Sequence, residues 1–284
     1  MIYVSSCCSK QKRIGSAIRE LAEHNFRNIE LSGGTEYYEG YEYDIFDLKE
    51  KYNLTYLIHN YFPPPKENFV LNLASLDDAI FEKSIEQLRK AIRFADQLGM
   101  DRFGFHAGFY VDISSDEIGK AIPAYNLWDK KQSYERFCTG FNLIKNESKN
   151  VDIYIENNVY SKTNFDTYGP QNPFMLTTPA EYRKLQQYID FKLLLDVAHL
   201  YVSSHTLKFD FESHLDQLIM ETDYIHVSDN DGYHDQNENF AYDSKLLKKM
   251  AKKHLKDKTI TLEIYNELSS LKESFDRITA LVAD

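Results

Sequence analysis

The chain has 284 residues, 43% hydrophobic and 27% charged, enough apolar material for a large core. With 11 Gly and 7 Pro it is too poor in both for a linker-rich or disordered chain, and 3 Cys exclude a disulfide scaffold. A net charge of −11 lacks the electrostatic footprint of a nucleic-acid binder.

Short β-branched or aromatic runs alternate with longer amphipathic runs along the chain. The predicted strands are 2–6, 28–32, 55–60, 102–106, 152–157, 192–197, 224–228 and 259–265. The first is followed by Ser5-Ser6-Cys7-Cys8-Ser9, which has no Gly-rich fingerprint, so a dinucleotide-binding or P-loop fold loses its support. The clearest helix starts near Asp78, with Ile85, Leu88, Ile92, Ala95 and Leu98 at helical spacing. Another starts at Thr178-Pro179-Ala180-Glu181, where Thr caps, Pro suits the first helical position and Glu completes a capping box. Helices over 211–220, 244–254 and 268–282 complete the series. Eight strand–helix units in this length predict an α/β fold, a (β/α)8 TIM barrel, as one domain over residues 1–284. A doubly wound sheet is the structural runner-up. Two long connections, 61–77 and 159–177, follow strands and belong on the C-terminal face.

No apolar run approaches the ~20 residues of a membrane span; the best, 193–202, is broken by Asp196 and His199. The N-terminus places its apolar residues before its charges, the reverse of a signal peptide. A soluble, cytoplasmic protein is expected.

Four strands carry one ionisable residue late in an apolar run: Glu156, Asp196, His226 and Glu263. Period-2 alternation turns each of them to the barrel interior and its neighbours to the helix layer. Three carboxylates in one dry cavity repel each other, and a divalent cation resolves the conflict. One imidazole with three carboxylates suits Mn²⁺, Co²⁺ or Zn²⁺, with Mg²⁺ less suited to nitrogen. The bland alternative is an internal salt-bridge network. His59 and His106 end strands three and four; each alone reads as a hydrogen-bonded core residue, and together they hold a second cation or line the substrate pocket, with Ala107 and Gly108 leaving room beside His106. His199, three residues after Asp196, contacts substrate or bonds backbone. Glu30 ends strand two on the same inner face, as a substrate-binding or pocket-orienting residue. Tyr61, Phe62, Tyr110 and Trp128, near strand ends or in the segments that follow, are candidates for stacking on a ligand or for filling the loops. His24, His214 and His254, and the lysines at 248, 249, 252, 253, 256 and 258, read as solvated helix positions.

In order, these motifs resemble the xylose isomerase-like barrel superfamily, which includes endonuclease IV-type apurinic-site nucleases. The resemblance runs through Ile58-His59, Asn72-Leu73-Ala74-Ser75, His106-Ala107-Gly108, Glu156-Asn157-Asn158, Leu195-Asp196-Val197-Ala198-His199, His226-Val227-Ser228-Asp229 and Leu262-Glu263. It implies one metal held by Glu156, Asp196, His226 and Glu263, with the two glutamates as acid/base pair. By the nuclease branch, it implies a further ion at His59, His106 and Glu156. The nucleases complete a third ion with a residue matching His199 and an Asp-x-His; here that stretch is Asp235-Gln236-Asn237, which counts against a third ion and against phosphodiester cleavage. Lys162 lies where the sugar epimerases carry an extra glutamate after strand five.

The expected function is a divalent-metal-dependent isomerase or epimerase of a sugar, sugar phosphate or polyol, with Glu156, Glu263 and His199 catalytic; a dehydratase is a close variant. The expected partners are a small carbohydrate substrate and, in a homo-oligomer, further copies of the chain; neither nucleic acid nor a membrane is expected. The alternatives are an endonuclease IV-like phosphodiesterase and a non-catalytic metal-binding barrel.

Overall fold

A computed structural model describes residues 1–283. Eight parallel strands close into a barrel in chain order: β1 (Ile2–Ser5), β2 (Asn28–Leu31), β3 (Thr55–His59), β4 (Arg102–His106), β5 (Asp152–Glu156), β6 (Lys192–Asp196), β7 (Tyr224–Val227) and β8 (Thr259–Leu262), with β8 pairing back onto β1. The (β/α)8 expectation is met. Most strands end one to three residues earlier than predicted, so Glu263 stands just past β8.

Around the barrel lie ten α-helices among the described residues: α1 (Ile14–Glu23), α2 (Tyr41–Tyr52), α3 (Asp78–Gln97), α4 (Lys130–Ile144), α5 (Lys162–Tyr168), α6 (Pro179–Leu185), α7 (Val197–Leu207), α8 (Phe211–Glu221), α9 (Lys245–Met250) and α10 (Leu268–Ala283). Asp77 caps α3 by accepting from the Ala79 and Ile80 amides, and Thr178 and Glu181 form the expected box on α6. Two helices exceed the prediction. α7 starts directly at the end of β6, with Asp196 as its N-cap, and its first eight residues are all buried. A helix buried on every side has no amphipathic period to read. α5 lies inside the connection 159–177, which reads from sequence as loop. α9 is shorter than predicted, and the basic cluster around it is not uniformly solvated: Lys258 is buried and donates to the Thr222 carbonyl at 2.7 Å. No described helix is long and apolar enough to cross a membrane.

Strand alternation fills the barrel. Tyr3, Leu57, Tyr154, Leu194 and Tyr224 pack into one interior cluster. Two residues further along their strands, Leu57 leads to His59, Tyr154 to Glu156, Leu194 to Asp196 and Tyr224 to His226. The apolar plug is thus the floor of a polar mouth. Gly104 belongs to this floor: a Cβ there would sit 2.7 Å from Leu194 Cδ2 and 3.1 Å from His59 Cδ2. Leu194→Ala, at a fully buried position, is expected to cost about 2–5 kcal/mol of stability in urea unfolding.

Candidate metal centre

β5, β6 and β7 end on Glu156, Asp196 and, one residue from its end, His226; Glu263 follows β8. One donor atom from each lies within 4.8 Å of one from every other. Donors about 2.0–2.2 Å from a shared ion lie no more than about 4.4 Å apart, so the four need only a small closure to share one. Glu156, Asp196 and His226 are buried, while Glu263 keeps 15% of its side chain exposed and opens upward.

The unpaired atoms of this group test whether it suits a cation. Glu156 Oε1 and His226 Nδ1 are buried without a hydrogen-bond partner. They stand 3.6 Å apart, and His226 Nδ1 lies 3.3 Å from Glu263 Oε2. An unsatisfied buried polar atom costs roughly 1–3 kcal/mol, and a cation would satisfy several at once. A donor set of three carboxylate oxygens and one imidazole nitrogen fits a borderline divalent ion. An ion-pair network accounts for the charge on these atoms, but at 3.3 and 3.6 Å it leaves them without a hydrogen bond.

His59, His106 and Glu156 form a second group of converging donors. Glu156 Oε2 accepts from His59 Nε2 at 2.6 Å and lies 3.3 Å from His106 Nδ1. Glu156 therefore turns one oxygen to each group. Gly108 is small because its own Cβ side is packed, where a Cβ would stand 2.6 Å from the Ala74 Cβ; the space that His106 meets lies on its other side, in the cavity. Asn72 closes that junction by accepting from the Phe109 amide and donating to its carbonyl.

Of the two roles that the sequence offers Glu30, substrate-binding or pocket-orienting, its position fits the second and not the first. It lies beneath the site, fully buried, with Oε1 3.0 Å from His226 Nε2 and Oε2 accepting from Thr261 Oγ1 at 2.7 Å and from the Tyr224 hydroxyl. It orients the imidazole so that Nδ1 faces the carboxylates, as outer carboxylates do for metal-binding histidines. His199 donates Nδ1–H to the Asn157 carbonyl at 2.8 Å, which leaves Nε2 3.7 Å from Asp235 Oδ2. Asn237, where a third donor would stand, accepts instead from the Ser228 hydroxyl.

Charge within the mouth is coupled. Burial works against ionising Glu156 and Glu263, but the neighbouring imidazoles prevail: Glu156 falls well below the usual carboxylate range and Glu263 falls to about 2. Burial pushes Asp196 up to about 7. Burial also opposes charge on His226, yet Glu30 and Glu156 raise it well above its ordinary value. His106 is pushed down to about 4, chiefly by burial, and stays neutral.

Above the mouth lies a cavity of about 540 Å³. His106, His199 and Glu263 reach it from below, joined by Asp235 and Tyr265; Glu156, Asp196, His226 and His59 lie deeper. Tyr61 lines it as expected, whereas Phe62 and Tyr110 are core residues and Trp128 is not in the wall. The upper wall comes from Phe109, Ile113, Ile122 and Phe174, on the segments 107–129 and 159–177. Neither the first of these segments nor Tyr265 stands out in the sequence; the only signal for Tyr265 is its place two residues after Glu263.

The family model of the xylose isomerase-like TIM barrel matches residues 18–281. The uncharacterized protein MJ1311 of Methanocaldococcus jannaschii is 23% identical over 240 residues, 82% of this chain and 72% of that protein. Among solved structures, a D-tagatose 3-epimerase-like protein superposes with a TM-score of 0.72 at 18% identity, over 99% of this chain and 97% of its own. Endonuclease IV from Thermus thermophilus superposes with a TM-score of 0.61 at 15% identity, over 99% and 98%. Likeness at these identities establishes the fold and does not choose between the two chemistries. The family match, which takes in nearly every strand and all four residues of the quartet, makes this chain a member of the xylose isomerase-like TIM-barrel family.

Proposed function

We propose that the protein is a divalent-metal-dependent isomerase or epimerase of a small polyhydroxy carbonyl compound, a sugar or related polyol. The observation that carries this reading is the convergence of Glu156, Asp196, His226 and Glu263 beneath a cavity of about 540 Å³, a size suited to a small molecule. These four residues would hold the ion, which when bound polarises a substrate carbonyl and makes the adjacent C–H acidic. Glu263, ionised and open to the cavity, and Glu156, whose Oε1 has no hydrogen-bond partner, form the acid/base pair. One takes the proton from carbon and the other returns one. His199 and His106 reach the cavity and orient substrate hydroxyls; the aromatic upper wall excludes water. Similarity to a D-tagatose 3-epimerase-like structure agrees with this reading.

One observation favours a second reading, an endonuclease IV-like phosphodiesterase: His59 and His106 supply a second donor group through Glu156. The net charge of −11 weighs against a DNA substrate.

A panel of ketoses and aldoses, incubated in D₂O with Mn²⁺- or Co²⁺-loaded protein, is expected to yield one substrate that gains solvent deuterium at a C–H position by NMR. Glu263→Gln should slow that exchange at least about 100-fold. Absence of exchange, together with efficient incision of an abasic-site duplex, would transfer the assignment to the nuclease reading.

The charge state of the site sets a pH dependence. Asp196, titrating at about 7, and His226, raised well above its ordinary value, carry protons that an incoming cation must displace. Calorimetry in two buffers of different ionisation enthalpy should show release of at least about one proton per Mn²⁺ near pH 7. Affinity should weaken as pH falls from about 8 to about 6, because acid refills both groups.

A further inference from the structure

We propose that Tyr265 and Cys7 are positioning residues that fix the Glu263 carboxylate in one orientation, with Oε1 held by the chain and Oε2 presented to the metal; this rests on the reading of Glu263 as a ligand. β8 ends at Leu262, so Glu263 leaves the strand with one backbone bond, its amide donating to the Val227 carbonyl at 3.1 Å. Backbone anchoring alone leaves a long side chain several rotamers. Here the choice is made by two donors on the same oxygen: the Tyr265 hydroxyl donates to Oε1 at 3.0 Å, and the Cys7 thiol donates to it at 3.6 Å. Oε2 is left 3.3 Å from His226 Nδ1.

Both donors are themselves held. The Tyr265 amide donates to the Asn237 carbonyl at 2.8 Å, and Lys10 Nζ donates to the Tyr265 carbonyl. Cys7 lies in the turn Ser6–Cys8 that follows β1, with Sγ 2.9 Å from the Ser5 hydroxyl, which reaches Ser32 Oγ at 2.8 Å. The next residue of the turn clasps the backbone around Glu263: Cys8 Sγ accepts from the Ile264 amide at 3.3 Å, and its S–H donates to the Leu262 carbonyl at 3.5 Å. One short turn thus reaches the Glu263 carboxylate through one cysteine and its two flanking residues through the other. A carboxylate with one oxygen occupied by the chain offers the other alone, which sets single-oxygen ligation.

Co²⁺ alone, titrated into the full-length protein, reads both affinity and ligand geometry through its visible absorption, independently of any sugar turnover. Tyr265→Phe should weaken Co²⁺ binding about 10-fold or more, the effect usual for loss of an outer-shell partner, and should change the visible spectrum as Glu263 turns. Cys7→Ala should do the same to a smaller extent, and Cys7→Ser, which keeps a donor, should restore most of the affinity. Tyr265 is 46% exposed and Phe keeps its ring, so this variant should fold with unchanged thermal stability. A wild-type affinity and spectrum in Tyr265→Phe overturn the positioning role alone. A wild-type protein that binds no Co²⁺ overturns this inference and the metal reading together.

Discussion

Like charge confined in a dry space governs this molecule. Glu30, Glu156 and Asp196 are buried at one end of the barrel, and Glu263 is nearly so. Carboxylates so close in low dielectric cannot all ionise without positive charge among them. Barrel closure supplies it, because the same alternation that turns the acids inward turns His226 inward from β7. His226 carries positive charge and Asp196 holds a proton near neutrality. The site is therefore assembled with its excess negative charge offset by protons that a harder cation can replace. Breaking one member would leave its partners buried and uncompensated, which makes the mouth a structural element as well as a candidate reaction centre.

Much of this was legible in the sequence because period and position are local. The eight strands, the barrel and the inward direction of Glu156, Asp196, His226 and Glu263 all follow from alternation at strand ends. The box at Thr178 and the start of α3 were legible for the same reason, since a cap is a matter of three or four neighbouring residues. Where burial replaced amphipathic contrast, that reading failed. α7 is buried along most of its length and left no stripe, and Lys258 looked like one more surface cation while its amine was satisfied by a carbonyl 36 residues away.

The second layer of the site was illegible for a different reason. Glu30 meets His226 across most of the chain, and Cys7 meets Glu263 across 256 positions. Such partners carry no spacing signal; only the closed register of β1 on β8 and of β2 on β1 brings them together. The histidine and the glutamate that occupy the mouth are thus visible from their own strands, while the residues that aim them are visible only after folding.

Glu156 has one oxygen toward each of two donor groups, and that sharing has a thermodynamic consequence. Any occupant of one group changes the charge and orientation that the other group meets. Linkage then requires that the effect be mutual: whatever factor the first occupant imposes on the affinity for the second, the second returns to the first. Two ions filling this mouth would not be independent events, and the sign of their cooperativity would report how a single carboxylate divides its electron density between neighbours.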